Sequence, residues 1–328
     1  MGSRWYSIAV IGLWLSSMTW LVVRKVLPPL VIGEPPSYAT VVDTAGPQPP
    51  VGWDLAWDGR RLGWAVNTMR KQIDQTTEIR SHIHFEKLPL QRWLPLWLRP
   101  MLAAGSGRAA MEAESNMTID PLGRLSEFDS ALRLHPFQSL VRVRGWLDGN
   151  KLRLSIRVAD FAADPEVSLP PGASLADSLA PQVRLPGLWV GQTWTVSSYS
   201  PMNFLSNPIG FLEGQNPLEV LQARVEKLVP FLWHGQREHV WLVVYSKDGG
   251  LNSWSSPAAT ICNQLWVRRD GTILRQEVML GGSVLSFSRL ADEDATALLE
   301  SAELLSRGGR SLPAPRRTAT PRTEHSHD

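Results

Sequence analysis

The stretch WVRRDGTILRQEVML, residues 266–280, decides the fold. Trp266, Val267, Ile273, Leu274, Val278 and Leu280 are apolar, polar residues separate most of them, and Asp270-Gly271 stands at the centre. Alternation with period two marks a strand with one buried face, and an Asp-Gly pair supplies a turn, so the stretch predicts a β-hairpin. MTIDPLGRLSEFDSALRL, residues 117–134, repeats the plan with Asp120 and Gly123 at the bend. LVRVRGWLDGNKLRLSIRV, residues 140–158, turns at Asp148-Gly149-Asn150, where Gly and Asn accept positive φ at low cost. In its second arm Leu152, Leu154, Ile156 and Val158 face one way, and Lys151, Arg153, Ser155 and Arg157 face the other. One face packs and the other is wet, as in an antiparallel meander.

Working outward, residues 62–72 and 75–88 alternate around Ile73-Asp74, and later strands read at 188–200, 217–233, 239–246 and 281–290. Prolines break the pattern over 162–187, where one short helix is expected at Ser174–Leu179. The sequence therefore predicts a mainly β fold of two curved antiparallel meander sheets, two half-barrels alike enough in pattern to suggest duplication. The first covers 51–163, a connector covers 164–187, and the second covers 188–307 with a closing helix. That helix is read from ADEDATALLESAELLSRGG, residues 291–309. Asp292, Glu293 and Asp294 sit at the positive end of the dipole, Gly308-Gly309 supply the stop, and Leu298, Leu299, Ala302 and Leu305 form the stripe that packs on a sheet.

The flanks differ from the body. Trp5–Val23 (WYSIAVIGLWLSSMTWLVV) is an uncharged run of 19 residues with Arg4 before it and Arg24-Lys25 after it. Its length suits a single uncleaved transmembrane helix, with Trp5 and Trp20 at the interfaces, and no small-x-small cleavage pattern follows it. Residues 1–25 are expected to be this anchor. Residues 26–50 hold seven prolines and read as an extended tether, and 308–328 read as a disordered tail rich in Arg, Pro, Thr and His.

A net charge of +2 over 328 residues, with no dense basic stripe in the body, argues against a nucleic-acid partner. The single cysteine, Cys262, excludes an intrachain disulfide and a cysteine-based zinc cluster, and reads as a small apolar residue near the start of a strand. No G-x-S-x-G, H-E-x-x-H, Walker A or C-x-x-C motif occurs, so the chain is expected not to be an enzyme and to need no cofactor. His82 and His84, two apart on a strand, share a face with Glu78 and Arg80, while Ile79, Ile83 and Phe85 take the core face. The pair could begin a metal site, or lie on a solvated strand face; with Glu78 it is also the candidate set for a hydrolase.

Two loops are unusually apolar. KLPLQRWLPLWLRPMLAAG (87–105) offers Trp93, Leu94, Trp97, Leu98 and Met101, and SPMNFLSNPIGFLEG (200–214) offers Phe204, Leu205, Ile209 and Phe211. They either plug the concave side of their sheets or line an apolar ligand cavity or a membrane contact.

The phrases SNMTIDPLGRLSEF, VRVRGWLDGNKLRLSIRV and WVRRDGTILRQEVML resemble a DUF3108-like family of uncharacterised β-rich bacterial envelope proteins. The strand pattern over 51–290 is also similar to lipoprotein-carrier-type curved half-barrels. The resemblance implies a body outside the bacterial inner membrane, held by residues 5–23, that binds a lipid, another apolar ligand or an envelope protein. An envelope structural or assembly protein, and a motif-free envelope hydrolase, are the alternatives.

Overall fold

The computed structural model describes residues 2–21, 48–86, 111–134, 141–158, 161–169, 174–177, 180–199, 218–247, 260–280 and 282–308. In chain order its elements are helix α1 (Gly2–Leu21), strands β1 (Val51–Trp57), β2 (Arg60–Lys71), β3 (Thr77–Phe85), β4 (Met111–Ile119), β5 (Leu125–Leu134), β6 (Val141–Asp148), β7 (Lys151–Val158), β8 (Phe161–Ala163), β9 (Glu166–Ser168), β10 (Ser174–Asp177), β11 (Thr193–Tyr199), β12 (Leu218–Trp233), β13 (Gln236–Lys247), β14 (Thr260–Val267), β15 (Ile273–Leu280) and β16 (Ser283–Arg289), and helix α2 (Asp292–Gly308).

The strands form one sheet and not two. Both meanders exist, β1 to β8 and β11 to β16, but β16 pairs antiparallel with β1, from Trp53 opposite Arg289 to Trp57 opposite Leu285. Pairing satisfies a row of backbone donors and acceptors that two separate sheets would each leave open. The expected helix at Ser174–Leu179 is also corrected. Ser174–Asp177 is β10, a short parallel edge strand on β11; a partner strand overrode weak local helix propensity.

The three sequence hairpins are all present, and two share a loop. Asp120 N donates to Arg124 O and Gly123 N to Asp120 O; Arg268 N donates to Thr272 O and Gly271 N to Arg268 O. Gly123 and Gly271 take φ of 77° and 86°. The acids, however, occupy different positions. Asp120 Oδ1 accepts from Leu122 N and Arg124 N, whereas Asp270 Oδ1 accepts from Thr272 N. The loop recurs by geometry and not by residue equivalence. A third copy joins β2 to β3, with Gln72 N donating to Thr76 O and Gln75, at φ 66°, in the place of the glycine.

The sheet curls until distant strands touch. The rings of Phe128 on β5 and Tyr199 on β11 stack at 4.4 Å. Trp53, Trp194, Tyr199, Tyr245, Phe85 and Phe287 are the largest fully buried side chains, within one cluster that draws on both meanders. Residues 180–185 cross this interior, bonded to Asn67 at one end and through Leu185 N to Gly271 O at the other. Gly145 admits the Phe128 ring, which a β-carbon there would overlap. Helix α2 covers the outer face of β1 and β2, with Leu298 and Ala302 on Trp64 and Val66. At Gly52 a β-carbon would stand 2.9 Å from Ala295 Cα, so glycine permits the close approach.

The antiparallel order defines two rims. On the first lie the start of β1, the end of β16 and the turns at 72–76, 120–124, 149–150, 234–235 and 268–272. On the second lie the ends of β3 and β11 and the starts of β4 and β12.

Helix α1 corrects the expected transmembrane helix in one respect: no helix among the described residues is long and apolar enough to cross a membrane. Its first turn is Gly2, Ser3 and Arg4, its last third holds Ser16, Ser17 and Thr19, and Val22 and Val23 lie outside the described residues. Its residues 11–20 are exposed. The tether from 26 to 47 and the tail beyond 308 lie outside the described residues as well.

Candidate functional site: the second-rim mouth and the outer groove

All nine apolar candidates, Trp93, Leu94, Trp97, Leu98, Met101, Phe204, Leu205, Ile209 and Phe211, lie outside the described residues. The points where their segments join the sheet are described. The first leaves after β3 and returns at Met111; the second leaves after Tyr199 and returns at Leu218. All four strand ends are on the second rim. Tyr199, the last residue of β11, stacks on Phe128 and its hydroxyl lies 2.9 Å from Ser130 Oγ, so the end of β11 lies against the middle of β5.

Across β2 to β5 runs a buried polar row. Asn67, Ser81, Ser115 and Ser130 are register partners on β2, β3, β4 and β5, each in the phase that otherwise carries core side chains. Trp53 Nε1 donates to Asn67 Oδ1 at 2.7 Å, Asn67 Nδ2 donates to Ser81 Oγ at 2.5 Å and to Pro181 O at 3.3 Å, and Ser115 and Ser130 hydroxyls meet at 2.9 Å. Sequence reading missed this row. Its signal is a small polar residue in the inward phase, such as Ser81 between Ile79 and Ile83 or Ser130 between Phe128 and Leu132. Buried polar groups are tolerated when bonded, and here two bonded sets, Trp53–Asn67–Ser81 and Ser115–Ser130–Tyr199, lie side by side in register.

The outer faces of β2 to β6, beside α2, form an open groove of 480 Å³. Here His82 and His84 do share a face, as expected, but the expectation that the face is solvated is corrected. They are not solvated: their side chains are 14% and 12% exposed, and both rings lie against Trp64 at 5.5 and 5.6 Å. Among the described residues no three His, Cys, Asp or Glu side chains are grouped to hold a metal ion. Each histidine faces a carboxylate, His82 Nδ1 at 3.7 Å from Glu114 and His84 Nδ1 at 3.6 Å from Glu112.

Other charges of the groove pair across or along the strands. Arg133 Nη1 donates to Glu114 at 2.9 Å, Arg142 and Arg144 both donate to Asp129, and Arg80 donates to Glu78. His82 holds the Glu114 carboxyl below the usual carboxylate range, with Arg133 helping against burial. Burial pushes Glu78 and Asp129 up, but bonds from Arg80 and Asn116 to the first and from Arg142 and Arg144 to the second outweigh it, and both end lowered. Cys262 is half-buried, its thiol donates to Thr260 O at 3.4 Å, and burial, with Glu219 nearby, pushes its pKa up.

No family model matches the sequence, and no curated protein matches it either. A solved structure that is similar is the crystal structure of a β-barrel-like protein of the domain of unknown function DUF1849 from Brucella abortus. It is 9% identical, with 74% of this chain and 95% of that chain covered and a TM-score of 0.43. A likeness this distant says nothing of function.

Proposed function

We propose that the chain is a non-catalytic binding protein of the bacterial envelope, tethered at the inner membrane by its N-terminal apolar run, which takes an apolar ligand or membrane partner at the second-rim mouth. The observation that carries this is that the 87–105 and 200–214 segments both leave and rejoin the sheet on the second rim, at Phe85 and Met111 and at Tyr199 and Leu218. The interior below is occupied by large side chains, so the ligand-contacting surface belongs to those two segments and not to the sheet's core. Exposed Ile11, Leu13, Trp14, Leu15, Met18 and Trp20 on α1 support attachment to a membrane.

A non-catalytic role fits the electrostatics. Among the described residues every carboxylate with a shifted pKa is lowered, and Cys262 is raised, so neither a protonated acid nor a thiolate is held ready at neutral pH. A second reading, an envelope assembly protein, draws on the outer groove, whose alternating charges suit a protein partner.

Native mass spectrometry of the full-length chain, extracted from its membrane in a mild detergent, tests the proposal. Extra mass that vanishes on organic extraction, and that is lost from Trp93→Ala/Trp97→Ala and Phe204→Ala/Phe211→Ala, is the expected result. A clean protein mass in every form would overturn ligand binding and favour the assembly reading.

A further inference from the structure

Strand β12 is the longest described strand, and its far half has one free edge. On one side β13 accompanies it as far as Trp233, and Arg268, bonded to Glu238 and lying over Trp233, braces that side. On the other side β11 pairs with it only up to Arg224, and the last backbone bonds join Val225 to Gly191 and Gln192. From Glu226 to Trp233 no described strand pairs with that edge.

An open edge is a template for another strand. Here the template is LVPFLW, residues 228–233, which carries no charge. Its Leu232 is 70% exposed. Apolar, uncharged, strand-forming windows of this length join into intermolecular sheets unless a charge or a proline interrupts them. Pro230 interrupts this one, and it is the only proline inside a described strand.

The register gives the direction in which Pro230 acts. His234 and Gly235 have φ of 45° and 79°, the two positive values of a type I′ turn. Such a turn closes on a pair that exchanges both backbone bonds, Trp233 with Gln236, and the ladder alternates from there. Phe231–Glu238 and Val229–Val240 are therefore bonded pairs, whereas Leu232–Arg237, Pro230–His239 and Leu228–Trp241 are not. The backbone groups of Leu228, Pro230 and Leu232 thus point to the free edge. The same phase follows from the other end, where Val225 N and O bond toward β11 and the bulge before Lys227 shifts the alternation by one residue. Proline at 230 leaves the β12–β13 ladder intact and removes a donor from the open side.

We infer that Pro230 guards this edge against strand addition by a second copy of the chain. The edge is self-complementary. Two copies running antiparallel about a two-fold axis at residue 230 pair Leu228 of one with Leu232 of the other, and residue 230 with itself. Proline in both copies deletes both bonds of that central pair and leaves its carbonyl oxygens without donors. Any residue with an N–H restores them.

Sedimentation of the full-length protein in a mild detergent, over a range of concentrations, tests the inference. Pro230→Val is expected to tighten self-association about thirty-fold, the worth of two ordinary hydrogen bonds. Pro230→Val/Leu232→Pro, which moves the missing donor to the next outward position, is expected to behave as the parent does. A Pro230→Val protein that keeps the parent's tryptophan fluorescence and its sedimentation at every concentration overturns the guard. Association that persists in the double variant overturns it too, because such contact does not run along this edge. Hydrogen exchange in the parent reads the edge independently of any change valine makes to the hairpin. Amides of Leu228 and Leu232 are expected to exchange fast while those of Val229, Phe231 and Trp233 are protected. Slow exchange at 228 and 232 would show an edge already covered, and the guard would have nothing to protect.

Discussion

Ser130 Oγ lies 2.9 Å from Tyr199 Oη, across 69 residues of sequence, and both side chains are buried. Ser130 also meets Ser115, so the Tyr199 hydroxyl ends a row that begins at Trp53 and Asn67. Tyr199→Phe keeps the ring stacked on Phe128 and removes only the hydroxyl. It is expected to cost about 1–2 kcal/mol, the usual loss when a buried hydrogen bond goes. Asn67→Leu, which strips partners from Trp53, Ser81 and Pro181 at once, should cost more. Urea unfolding followed by tryptophan fluorescence reads both; equal stability of all three proteins would mean the row does not hold the curl.

Gln75 sits at φ 66° in a loop whose two counterparts use Gly123 and Gly271. A non-glycine residue in the left-handed region costs about 1–2 kcal/mol per residue, part of which glycine's extra unfolded-state entropy cancels. Gln75→Gly is therefore expected to stabilise the protein by up to ~1 kcal/mol, seen as a raised urea midpoint with unchanged slope. A lowered midpoint would show that the Gln75 side chain contributes more than its backbone conformation costs.

Acid should weaken the outer groove. Glu78 and Glu114 are lowered in the fold from 4.5, and Asp129 from 3.8. A carboxyl lowered on folding adds stability that is fully present above its ordinary value and is lost as pH falls through its folded value. Stability is thus expected to hold from neutral pH to about 5 and then to fall. In Arg142→Met, which removes one partner of Asp129, that fall should be shallower. Urea midpoints at pH 7, 5 and 3 decide it.

The geometry packs His82 and His84 against Trp64. His82→Ala/His84→Ala is expected to lose about 1–2 kcal/mol, from two ring contacts of ordinary strength. Its metal content by plasma mass spectrometry should equal that of the parent protein. Bound metal in the parent that the variant lacks would reverse the assignment.

Much of the sheet was legible because period two reports a half-buried strand directly. Leu152, Leu154, Ile156 and Val158 all lie in the core, and so do Ile79, Ile83 and Phe85. Gly123, Gly149 and Gly271 all have positive φ at the turns. What escaped is what alternation does not encode. The β16–β1 pairing joins residues such as Asp54 and Ser288, and no local pattern says which distant edge a strand will choose. β10 is short and takes its state from β11. For the site, alternation placed both histidines on one face, but Trp64 and α2, which shield that face, come from other parts of the chain. The polar row was written in the sequence as serines in an apolar phase, and only the register shows that they are neighbours.

The junction of β16 with β1 makes the spatial order of strands a rotation of their order in the chain. Ribosomal synthesis delivers β1 early, while its partner arrives only after some 230 further residues, Asp54 opposite Ser288 being one such pair. Until then the first meander carries a naked edge, at risk of pairing with the wrong chain. A circularly permuted gene opened between β9 and β10, with the old ends joined, would remove that interval. Every strand would then be made beside its neighbour, and a knot of late, long-range assembly would become a simple zipper.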